Sequence, residues 1–306
     1  MMKYYSLLFG CLCLGILAAC SGEDELTAIP DTTTNYFAPD PNATDPESVL
    51  RRKFYEEENS YLLFNDTLRH EPRGIDFNGD TYYFTETLDM GYLLGQNSST
   101  DVTKYAYEYL QTMDEKEDAV LFLKQYILPQ LSSQLRPFSW FITRSITNLT
   151  FYNTYEALNG QRSIAIAVGY SISDMTTEEK EVLANRVLSA TLSSSISAKE
   201  KELTDFYAFG DEFYGNFFST DDNPDSDLDI NMKHLNEAGF IVSGEFWGME
   251  SVGIYPTKNK DVSSFIELVT KYNEQEIEEI YGEHKIVIEK AQIMRNLITS
   301  QGFIFK

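Results

Sequence analysis

Cysteine is nearly absent from this chain of 306 residues: it occurs at Cys11, Cys13 and Cys20 and nowhere later. Residues beyond position 20 therefore form no disulfide, offer no thiolate nucleophile and build no cysteine-ligated zinc site. Histidine is almost as scarce, with only His70, His234 and His284. Basic residues are few: 24 Lys and Arg stand against 48 Asp and Glu, for a formal net charge of −24. Nucleic acid and anionic lipid both need a basic face, so neither is expected as a partner. The Gly-x-Ser-x-Gly elbow and the phosphate-binding glycine loops are also missing. Leu7–Leu17 is apolar but falls short of the ~20 residues that a permanent spanning helix needs. Apolar residues make up 42% of the chain, enough for a real core, and 20 Tyr and 20 Phe dominate its aromatics.

What is present begins at the N-terminus. Lys3 supplies a positive start, the apolar run follows, and Leu17-Ala18-Ala19-Cys20 closes it with small residues and a thiol. This is the pattern of a cleavable export signal over residues 1–19. Leu-Ala-Ala-Cys resembles the lipobox of bacterial lipoproteins, which implies acylation of Cys20 and anchoring in a membrane. Glu23-Asp24-Glu25 resembles the surface-export signal of Bacteroidetes lipoproteins, which implies an outer-membrane protein facing the cell exterior. Residues 20–46 are polar and carry Pro30, Pro39, Pro41 and Pro46, so they read as an acidic, proline-rich tether.

A helical pattern opens at Asp45-Pro46 and runs to about Glu58; Tyr61–Phe64 reads as a short buried strand. Asn78-Gly79 marks a turn before a strand at Thr81–Phe84. Helices are expected near 100–113 and 115–128, and strands over Phe138–Thr143 and Asn148–Asn153. Arg162–Tyr170 is near-continuously apolar and reads as a central strand. Thr176-x-x-Glu179 is a capping box that opens a long helix to Ile196, apolar or small on most sides in its second half. Further helices are expected at Lys199–Phe218, Met232–Ala238, Ser264–Tyr272 and Glu283–Ser300. Strands first and helices later predict an α+β fold, a central mixed sheet followed by a mainly helical C-terminal half.

From Leu50 onward the order of segments resembles the import-associated zinc metallohydrolase lipoproteins of Bacteroidetes. The opening Leu50-x-x-Lys53-Phe54-Tyr55-x-x-x-Asn59-x-Tyr61, the Leu135-Arg136-Pro137 turn, Gly239-Phe240-Ile241-Val242-Ser243 and Ser264-Phe265-Ile266-Glu267-Leu268-Val269 carry the resemblance. It implies a zincin-like domain over residues 47–306. The family places His-Glu-x-x-His on the helix after the sheet, where two His one turn apart share a face and hold zinc while the Glu acts as base. Here Ser189, Ala190 and Ser193 stand at those positions. Serine is a poor zinc ligand and alanine moves no proton, so no zinc and no catalysis are expected. Glu267 stands at the position of a third ligand, although Ser264-x-x-Glu267 also reads as a capping box.

Other residues bear on the same chemistry by their spacing. His70-Glu71 is followed by Pro72 and reads as a loop histidine. His234 has Glu237 at i+3, and His284 lies near Glu283 and Glu289. Asp221, Asn223 and Asp225 alternate as in a calcium loop, but Ser226 and Met232 replace the glycine and the final glutamate of an EF-hand; calcium outside the EF-hand pattern is a weak candidate there, and Asp76-x-Asn78-x-Asp80 reads as a turn. The resemblance implies a non-catalytic accessory subunit of a SusC/SusD-type, TonB-dependent importer, capturing peptide by strand addition. A glycan-binding lipoprotein with Trp140, Trp247 or a tyrosine cluster as sugar platform, or a hydrolase with a non-standard site, are the alternatives.

Overall fold

The computed structural model describes residues 34–88, 90, 105–197, 199–217, 228–246, 249–251 and 253–305. The chain divides between Tyr36 and Phe37 into two units, and the architecture below is that of Phe37–Lys306. Cys20, Trp247 and the candidates Asp221, Asn223 and Asp225 lie outside the described residues.

Helix α1 (Pro46–Glu58) starts where its sequence says it should: the Asp45 carboxylate accepts from the Ser48 N–H at 2.9 Å and Pro46 sits in the first turn. It ends at Asn59, in the left-handed region with φ 53°. Strand β1 (Tyr61–Leu63) follows, then a long hairpin of β2 (Thr67–Ile75) and β3 (Thr81–Thr87), and β4 (Tyr105–Glu108). Helix α2 (Met113–Phe122) opens on a reciprocal capping box of Thr112 and Glu115. It widens into a π-turn at Leu123–Ile127 before Pro129 stops it.

Strands β5 (Ser139–Thr143), β6 (Ser145–Asn148), β7 (Thr154–Tyr155), β8 (Ala157–Asn159) and β9 (Ser163–Ala167) come next. The main sheet has the order β1-β5-β9-β8. The first three strands are parallel and β8 runs antiparallel on the edge. β5 and β9 are buried at every residue, because both faces of the sheet are covered. Leu62, Trp140, Ile142, Ile164 and Ile166 face the large helical core. Leu63, Phe141, Ala165 and Ala167 face a smaller cluster with Phe37 and Ile146. The alternation is the period-2 rule of a pleated strand. β4, β6 and β7 form a second sheet.

Helix α3 (Thr177–Ser197) packs on β8 and on α6 (Lys258–Lys271), with Val187, Leu188, Leu192 and Ile196 wholly buried. Between them lie α4 (Thr204–Ala208), α5 (Leu228–Glu237) and a small hairpin of β10 (Gly244–Phe246) and β11 (Met249–Ser251). Helices α7 (Glu274–Tyr281) and α8 (Lys285–Ser300) close the body. The fold is α+β with a mixed sheet.

Several expectations are corrected. The described end of the segment expected as a helix near 100–113 is strand β4, where Tyr105, Ala106, Tyr107 and Glu108 pair with β6; alternation over so few residues is weak beside a helical composition. Beyond Asn148, the last residue of β6, the expected strand is a turn over residues 149–153, because the Asn148 side chain accepts from the N–H groups of Thr150 and Phe151. The helix expected over Lys199–Phe218 shortens to α4, with Gly210 and Gly215 in the turns that follow. The helix expected from Ser264 begins at Lys258 instead: Thr257 is its cap and accepts from the Lys260 N–H at 3.3 Å. Ser264 and Glu267 are therefore mid-helix and form no capping box. His70 lies on strand β2, not in a loop, and stacks on Tyr83 at 4.6 Å.

Candidate functional site

The site grows from the edge of the main sheet. In β8 the bonds to β9 fix which groups point inward. Gly160 N–H donates to the Ser163 carbonyl at 2.8 Å, and Ala167 N–H donates to the Glu156 carbonyl at 2.9 Å. Antiparallel pairs alternate, so Leu158 also bonds toward β9. The N–H and C=O groups of Ala157 and Asn159 therefore point away from the sheet. Opposite them stands α3, held to the strand by the Asn159 side-chain amide, which donates to the Ala190 carbonyl.

Between strand and helices lies a groove of about 840 Å³. Ala157, Leu158 and Asn159 form one wall, Ser193 and Ser197 of α3 lie across from them, and Thr257, Asn259, Lys260 and Ser263 from the start of α6 complete it with Tyr155 and Glu245. The Lys260 ammonium and the Glu245 carboxylate pair at 2.9 Å. Ser197 and Asn259 also line a second hollow of about 410 Å³ beside Tyr207, Asp211 and Lys258. An open strand edge above a hydroxyl-lined floor suits an extended chain better than a compact ligand.

The residues at the family's metal positions are only partly brought together. Ser193 lines the groove. Ser189, one turn earlier, faces α6, its hydroxyl 3.1 Å from that of Thr270. Glu267 is exposed on α6 and Ala190 contributes only its carbonyl to the strand edge. Two hydroxyls, one already engaged by a threonine, and a single exposed carboxylate do not fit zinc. Among the described residues no three His, Cys, Asp or Glu side chains cluster as a metal would need.

The remaining candidates are placed apart from the groove. His234 Nε2 lies 3.0 Å from the Tyr255 hydroxyl, a contact to a ring packed against Phe240. His284 precedes the first turn of α8 rather than lying within it. Asp76 is a turn residue as expected, accepting from the N–H groups of Asn78 and Asp80 at 2.9 and 3.0 Å. Trp140 is wholly buried on β5, so it forms no part of a sugar platform. Sequence reasoning missed Asn159, since Asn159-Gly160 is by pattern no more than a turn, and it missed both members of the Lys260–Glu245 pair.

No protein-family model, no curated protein and no solved structure matches this chain.

Proposed function

We propose that this protein is a surface lipoprotein of the outer membrane, anchored through Cys20, with a zincin-related fold that has lost its metal and its catalysis. It serves as an accessory subunit of a SusC/SusD-type importer and captures extended peptides. The observation that carries the reading is the groove between β8 and α3. Its strand edge offers the outward N–H and C=O groups of Ala157 and Asn159, and its floor offers serine where a metallopeptidase would hold histidine. A zincin-like reading is supported by the antiparallel edge strand lying beside the helix that follows the sheet. The acidic body, with its net charge of −24, suits a head held off a negative cell surface. Acyl chains on the cysteine supply the anchorage, since one chain alone binds a membrane only marginally.

The test is a mild-detergent purification of the full-length lipoprotein, followed by mass spectrometry of bound peptides and co-purifying channel and lid proteins. Ala157→Pro is the companion variant. Proline removes an outward N–H and leaves the β8–β9 ladder intact, as edge strands tolerate. One interfacial hydrogen bond lost with its partner left unpaired lowers peptide affinity about tenfold. Recovery of the protein alone, while channel and lid stay together, refutes the accessory role; oligosaccharide without peptide refutes the cargo. Stoichiometric zinc with chelator-sensitive peptidase activity refutes the loss of catalysis.

A further inference from the structure

Lys290 of α8 is wholly buried, and so is Asp261 of α6. The lysine Nζ lies 2.7 Å from Asp261 Oδ2 and donates to the Gly239 carbonyl at 2.8 Å. The rings of Phe206, Phe240 and Phe265 surround it at 4.5 to 4.6 Å. The Tyr214 hydroxyl donates to the same Oδ2 at 2.7 Å. Asp261 Oδ1, equally buried, has no hydrogen-bond partner among the described residues. For an ion pair this is a poor arrangement: one oxygen accepts everything and the other is stranded away from water, which costs free energy.

We propose that Lys290 and Asp261 condense into an intramolecular isopeptide bond that joins α6 to α8. The neutral Nζ attacks the carboxyl carbon of the protonated Asp261; a C–N bond forms, the C–Oδ1 bond breaks, and Oδ1 leaves as water with one proton from the amine and one from the acid. No oxidant, reductant or further reactant is needed. The product fits the partners already in place. The single remaining oxygen accepts from Tyr214, the amide N–H donates to the Gly239 carbonyl, and the stranded oxygen is gone. Burial pushes the Lys290 ammonium down and the Asp261 carboxyl up, towards the amine and acid forms that react. Tyr214 polarises the carboxyl, and packing holds nucleophile and carbon together far above any solution concentration. The aromatic walls exclude the water that would favour hydrolysis. With no cysteine beyond position 20, such a bond gives an exported domain the covalent staple that a disulfide cannot.

The test is peptide mapping of the full-length protein, purified in its folded state and then denatured and digested with trypsin. The expected result is a branched peptide, Asp261–Lys271 joined to Ile286–Arg295, one water lighter than its two parts and uncut at Lys290. Tyr214→Phe, which keeps the ring, is expected to lower the branched share when protein is sampled soon after synthesis. Lys290→Arg serves as the blank, with no branched species. Cleavage after Lys290 together with a linear Asp261–Lys271 peptide, in wild-type protein kept folded, overturns the proposal. Because the wild-type protein supplies the deciding readout, a variant that fails to fold does not alter the outcome. The result is independent of peptide capture by the groove.

Discussion

Leu192→Ala removes a side chain from the helix that floors the groove. Leu192 is wholly buried on α3, in the core that also holds Trp140, Ile142 and Phe265. Sheet and α6 both pack on this helix, so the neighbours are held from two sides and cannot collapse freely into the space. A fully enclosed Leu→Ala change of this kind costs roughly 3–5 kcal/mol, the lost transfer of the side chain plus the cavity it leaves. For a body of this size each kcal/mol lowers the melting temperature by about 2–4 °C, so a fall of roughly 6–20 °C is expected. Guanidinium unfolding followed by circular dichroism measures the free energy, and a thermal scan measures the shift. Ser193→Ala, one residue on and facing the groove, is the control, with a change within about 0.5 kcal/mol. A loss below about 1 kcal/mol for Leu192→Ala would refute the placement of α3 between sheet and α6. An equal loss for Ser193→Ala would refute the assignment of the groove face.

Gly239 has φ +84°, and a Cβ there would lie 2.4 Å from Ile286 Cγ2; Gly239→Ala is expected to destabilise by more than about 1 kcal/mol, and an unchanged denaturation midpoint would overturn that. Asn148→Ala strips the side chain that folds the turn over residues 149–153 and is expected to cost about 1–2 kcal/mol by urea titration, whereas a neutral result would mean the backbone turns without it. The Thr112 and Gln111 N–H groups, and then Arg144, hold the Glu115 carboxyl down from 4.5 to about 2. Its folded pKa is lowered, so its contribution is present above pH 4.5 and is lost as pH falls towards 2. Glu115→Gln should flatten the pH dependence of stability across that window, and identical slopes in variant and wild type would contradict the assignment.

The helix starts were legible in the sequence because capping is local. Asp45 with Pro46, and Thr176 with Glu179, bond to backbone within three residues, and both pairs act as their spacing predicts. The buried strand at Ser163–Ala167 and the buried half of α3 were legible for a similar reason: a long apolar run has no other place to go. The Ser264-x-x-Glu267 pattern had the same form as a true cap and failed, since Thr257 had already started the helix seven residues earlier. Local spacing names a cap, but only packing decides which of two competing starts is used. The β4 strand was illegible because its four residues gain their stability from β6, about forty residues away.

The sequence by itself determined the chemistry available: no thiol beyond position 20, three histidines, serine and alanine at Ser189, Ala190 and Ser193, and an acidic surface. Only the tertiary structure decided where that chemistry meets. Ser193 reaches the groove and Ser189 turns to Thr270 because α3 is clamped between β8 and α6. The outward edge of Ala157 and Asn159 exists because β8 lies at the end of the sheet with β9 on one side only. Lys290, a lysine on the apolar stripe of Val287, Ala291 and Met294, shows the division most plainly. Its position on the buried face was written in the helical period, but its partner Asp261 lies on another helix. Residues far apart in the chain become neighbours only through packing, and a one-dimensional pattern carries no record of which faces will meet.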